Sequence, residues 1–149
     1  LVVGIKAKLL ISGGVIAAVA AIWHVLCIFG GPSWFAFARA PQQIITSAEQ
    51  GTLLAPVGTL IVAGLMFACT LFAFSATGLI RKLPLLTPAL VTIALLCTVR
   101  GLIAVPFFLT PAGADLWQII ASSVWLYVGI CFIAGALLPF SAGKKHLQK

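Results

Sequence analysis

Four apolar runs, at about residues 9–30, 53–80, 85–109 and 116–140, contain one charged side chain between them, Arg100. A helix of about 20 apolar residues matches the ~30 Å hydrocarbon core of a bilayer. Inside lipid, a single segment satisfies its own backbone N–H and C=O groups only as a helix. The runs therefore predict four transmembrane helices. Composition leaves little for a water-facing fold, since 7% of the 149 residues are charged, against about 25% in a soluble domain. Four spans and their links use nearly the whole length, so residues 1–149 read as a single transmembrane domain. The expected fold class is all-α: a polytopic four-helix bundle with up-down topology, because short links make sequential helices antiparallel.

The net charge of +7 is informative through its placement. Lys6 and Lys8 precede the first run, Arg81 and Lys82 separate the second from the third, and Lys144, Lys145 and Lys149 follow the fourth. Seven of the nine basic residues thus fall on one side of a four-span topology. Arg39, Glu49 and Asp115 fall on the other. The positive-inside rule puts the lysine-rich side, with both termini, in the cytoplasm. Such basic ends also attract anionic lipid headgroups. Membrane lipids are expected partners and nucleic acid is not. Lys6-Ala7-Lys8 ahead of an apolar stretch also suits a signal peptide. The run continues through Trp23, Val25, Leu26 and Phe29, however, so a retained helix is expected.

Residues 31–51 form the longest connection, on the outer side. Gly30-Gly31-Pro32 stops the first helix, because proline lacks an N–H and glycine resists helical restriction. Trp34, Phe35 and Phe37 beside Arg39 suit the headgroup layer, which predicts a short interfacial helix or re-entrant cap. The second run is longer than a span requires, which predicts tilt or a kink near Pro56. In lipid, helices associate through close packing at small residues. Gly13, Ala17 and Ala21 mark one such stripe and Gly64 and Ala68 another. Thr52, Pro56, Thr59, Ala63, Met66 and Thr70 form the expected inward face of the second span.

One polar constellation stands out. Sixteen residues at about 1.5 Å each carry Arg100 roughly 24 Å beyond Pro84, and His24 lies equally far beyond Lys8. Asp115, Gln118 and Ser122 enter the fourth span from that same outer side, and Glu49 stands at the mouth of the second. A charged arginine in the membrane costs about 2.5–3.5 kcal/mol even on the mild insertion scale, so it must face the bundle interior or reach an interface. Two readings follow. His24, Arg100, Glu49, Asp115, Gln118 and Ser122 line a vestibule for a lipid headgroup, a quinone or another small polar ligand. Alternatively, Arg100 snorkels outward, pairs with Glu49 or Asp115, and pins helices. The cofactor stays unknown, with quinone or lipid the candidates. His24, Cys27 and Cys97 are too few to favour a metal, and His146 lies in the tail at the other end, so neither metal nor haem is expected. Cys27, Cys69, Cys97 and Cys131 fall one per span and read as small hydrophobes. No nucleophile elbow or phosphate-binding loop appears, so no catalytic residue is assigned.

Trp23-His24, then Gly31-Pro32-Ser33-Trp34-Phe35, Leu83-Pro84-Leu85-Leu86 and Arg100-Gly101-Leu102 together resemble a group of small uncharacterised four-helix inner-membrane proteins of proteobacteria. The resemblance covers most of the chain and implies a bacterial cytoplasmic (inner) membrane; it implies no activity. Two functions follow from the whole reading. The first is a non-enzymatic accessory or interaction subunit, with protein partners in the membrane. The alternative is a ligand-binding or transport protein using the outer vestibule as a homo-oligomer. Transport would need polar groups through the inner half, which offers Thr70, Ser75 and Thr77.

Overall fold

The computed structural model describes residues 2–103, 105–109 and 115–138. Its described elements are helical: α1 (Val2–Gly30), α2 (Pro32–Phe37), α3 (Gln42–Gln50), α4 (Leu54–Ala76), α5 (Leu86–Leu102), α6 (Val105–Phe108) and α7 (Leu116–Ala136). Three helices are long and apolar enough to cross a membrane, spanning Gly4–Gly30, Leu54–Ala76 and Leu116–Ala136. The shorter Leu86–Leu102 is also apolar. The chain is an all-α protein with the helices of a multi-pass membrane protein.

The helix ends differ from the apolar runs for local reasons. The third run does not stay one helix to residue 109: α5 stops at Leu102. Pro106 has no N–H to give to the Leu102 carbonyl, and its ring would clash with that same carbonyl. Pro56 sits in the first turn of α4, where its missing N–H leaves no helix bond unmade. At its other end α4 closes in a Schellman motif, with Gly78 N donating to Ser75 O (3.2 Å) and Leu79 N to Phe74 O (2.9 Å). Gly78 holds the left-handed conformation that this needs (φ 79°). The same motif ends α3 at Gly51 and α2 at Arg39, with φ 66° and 55°. The connection expected as a short interfacial helix or re-entrant cap is therefore two short helices with a left-handed corner between them. The expected outer turn at Thr110–Ala114 and the basic tail with Lys144, Lys145 and Lys149 lie outside the described residues.

The chain gathers into two compact units. The first comprises residues up to Ile16 and those from Cys69 onward. Its core joins Leu10, Ala73, Leu90, Ala94, Cys97, Val128 and Phe132. Thr98 meets Gly129, while Gly101 meets Leu126. A step up α5 is thus a step down α7, and the two helices run antiparallel. By the same logic Leu10 against Gly135 and Gly13 against Cys131 make α1 antiparallel to α7. Gly14 packs on Ala73 and Phe74 of α4, and its carbonyl accepts from Thr70 Oγ1 at 2.9 Å. Ser12 Oγ donates to Leu9 O at 2.7 Å, so Tyr127 is the donor in the 2.8 Å bond between the two hydroxyls. Small residues and cross-helix hydrogen bonds hold this unit, as expected where lipid removes the hydrophobic drive between helices.

Among the described residues, Thr98 Oγ1 is buried without a hydrogen-bond partner. An unmade bond at a buried hydroxyl costs about 1–3 kcal/mol. Thr98→Val keeps the shape and removes the hydroxyl, so we expect it to raise stability by about 1 kcal/mol. Detergent unfolding would show a higher midpoint; a fall of similar size would mean that the hydroxyl has a partner.

The second unit, residues 17–68, centres on Cys27, Phe35 and Ala55 with Trp23, Ile28, Ile44 and Ala48 around them. Trp23 stacks on Trp34 at 5.6 Å and meets Phe37 edge-on at 6.2 Å. Gly30 lies so close under the Trp34 ring that a side chain there has no room. Ser47, 4% exposed, ties α3 to α4. Its Oγ bonds Thr52 Oγ1 at 2.6 Å and accepts from Ala55 N at 2.8 Å, which satisfies one of the open donors of the α4 N-terminus.

Candidate functional site

Arg100 lies in the last turn of α5, where the negative end of the helix dipole favours a cation. Its Nη1 donates to Ser122 Oγ on α7 at 3.4 Å. Ser122 is 2% exposed and Arg100 is exposed, so the hydroxyl is fixed and the guanidinium reaches out from it. Gln118, one turn before Ser122, is half-buried. Asp115 stands at the N-cap of α7, and its carbonyl accepts from Ile119 N at 3.1 Å. Its charge suits the positive end of that helix. The first unit thus joins Arg100 to Ser122, with Gln118 and Asp115 preceding Ser122 on the same helix.

His24 and Glu49 belong to the second unit. His24 Nδ1 lies 2.7 Å from Ala20 O. A carbonyl only accepts, so Nδ1 carries a proton, and Nε2 is the ring's remaining polar atom. Glu49 is exposed near the end of α3. Arg100 with Ser122 can clamp two helices or present donors to an anion; His24 is engaged with its own backbone.

The structure also shows polar features beyond the expected six residues. A shallow groove of about 360 Å³ is lined by Gln42, Gln43, Thr46, Ser47, Gln50 and Thr52, closed by Leu54. The spacing of Gln42, Thr46 and Gln50 at four-residue steps was legible as one face of a helix. A second shallow groove of about 370 Å³ is lined by Trp23, Ser33, Trp34 and Phe37. Neither lining includes His24 or Glu49. The Ser12–Tyr127 link joins residues 115 positions apart, and no local pattern announces it. No protein-family model, curated protein or solved structure matches the chain.

Proposed function

We propose that the chain is a four-span protein of a bacterial inner membrane, with both termini cytoplasmic, acting as a non-enzymatic accessory or interaction subunit of a larger membrane assembly. The observation that carries this reading is Gly64. It is exposed in the middle of α4, and a side chain added there would meet nothing within 4 Å. Exposed Leu60, Ile61, Leu65 and Phe67 surround it. Lipid packs around alanine as readily as around glycine, whereas another helix approaches closely only over a small residue. Hydrogen bonding of the inner-half hydroxyls supports the same reading. Thr70 bonds Gly14 O, Ser75 bonds Arg81 O, and Thr77 bonds Ala73 O and Phe74 O. The polar groups that a transport path would need in the inner half are thereby engaged in holding helices and turns. On this reading Arg100 pins α5 to α7 through Ser122.

The test is the composition of the particle extracted from its own membrane in mild detergent. We expect co-recovery with larger, different proteins, and Gly64→Leu should abolish it while the isolated chain unfolds at an unchanged midpoint. Recovery of the parent alone or as a homo-oligomer would overturn the reading. The amide-lined groove at Gln42, Thr46 and Gln50 favours the second reading, a binding protein for a small neutral polar ligand. Its amides both donate and accept.

A further inference from the structure

One end of the first unit is basic, and part of it is pinned. Leu10 lies against Gly135 and shares a core with Ala73. The segment before Leu10, carrying Lys6 and Lys8, therefore ends where α4 and α7 end. The turn that follows α4 carries Arg81 and Lys82, both exposed. Of the chain's two carboxylates, Asp115 caps the start of α7, at the opposite end of that helix from Gly135.

The turn is held by a buried hydroxyl. Ser75, 6% exposed, donates from Oγ to Arg81 O at 3.1 Å and accepts from Leu83 N at 2.8 Å. The backbone on both sides of Lys82 is thus tied to the last turn of α4, and the Schellman closure at Gly78 fixes the start of the loop. Two adjacent cations on a fixed turn thus stand at the same end of the unit as the two on α1.

We propose that Arg81 and Lys82, presented by the Ser75-pinned turn beside Lys6 and Lys8, bind the headgroup of an anionic phospholipid. The inference rests on the membrane-length helices and is independent of the accessory-subunit reading. Each basic residue near an anionic surface strengthens binding about fivefold. Loss of both Arg81 and Lys82 should therefore weaken it about 25-fold.

The experiment titrates phosphatidylglycerol, phosphatidylcholine and inorganic phosphate separately into the full chain in mild detergent, with bound lipid read by native mass spectrometry. Retention of phosphatidylglycerol over phosphatidylcholine is expected, with no competition from inorganic phosphate. Arg81→Gln with Lys82→Gln should remove the preference, while Arg81→Lys with Lys82→Arg should keep the affinity within about twofold, since the charge is unchanged. Ser75→Ala leaves every charge in place and should still lower the affinity severalfold. Equal retention of both lipids, displacement by inorganic phosphate, or full affinity in the glutamine or Ser75 variants would overturn the proposal.

Discussion

Gly129→Ala is expected to destabilise the folded protein by about 3 kcal/mol, the upper end of what overpacking costs. The added Cβ would lie 2.5 Å from Thr98 Oγ1, 2.9 Å from Thr98 N and 3.1 Å from Thr98 Cα. Two of these atoms are backbone, so no rotamer change relieves the contact, and α5 and α7 must separate. Gly101→Ala meets a similar wall, with Leu126 N and Cα both at 2.8 Å. The two changes should be less than additive, because separation forced at one glycine makes room at the other. Gly64→Ala supplies the control, since its Cβ enters open space. Titrating a denaturing detergent into mild micelles measures the parent, the three single variants and the double variant. If Gly129→Ala unfolds within 0.5 kcal/mol of the parent by that order-of-magnitude scale, the close approach of α5 and α7 is wrong.

That helix pair also shows what a sequence yields and what it withholds. Hydropathy alone announced the apolar segments, because length and polarity are properties of each segment by itself. Helix ends were not read from hydropathy, which carried the second run to Ile80 and the third to Leu109 although the stopping residues act locally. Gly51 and Gly78 occupy the left-handed position after their helices, and Pro106 stands four residues beyond the end of α5. Arg39 does the same work as those glycines at φ 55° and gives no sign of it. The inward face of α4 was readable in part from its period: Thr59, Ala63 and Thr70 are buried, Pro56 and Met66 are half-buried, and Thr52 before the helix is exposed. Gly13, Ala17 and Ala21 are buried as well. Pairings between helices were not readable. Nothing local says that Gly129 faces Thr98 or that Ser12 bonds Tyr127. At the candidate site, the depth count paired Arg100 with His24 and the polar face of the fourth run added Ser122; the structure joins Arg100 to Ser122. It could not show that α5 stops two residues later, which turns a mid-span cation into a helix-end one with its own dipole stabilisation.

Phe132→Ala is the second large effect expected, about 2–3 kcal/mol. Phe132 is fully buried in the core that contains Leu10, Leu90 and Val128. In a water-soluble protein such a truncation costs about 3–5 kcal/mol, part of it the lost transfer from water and part the cavity left behind. In a bilayer the separated helices already sit in an apolar medium, so the transfer part largely vanishes and the lost packing contacts remain. The same reasoning predicts almost no effect for Phe29→Ala, because Phe29 is 83% exposed and its ring meets lipid whether or not the helices are packed. In water-based bookkeeping both rings are large hydrophobes; in lipid only the packed one stabilises. Unfolding midpoints of the two variants in the same bilayer mimic decide the matter. A loss at Phe29 equal to that at Phe132 would mean that the Phe29 surface is covered by protein in the measured particle.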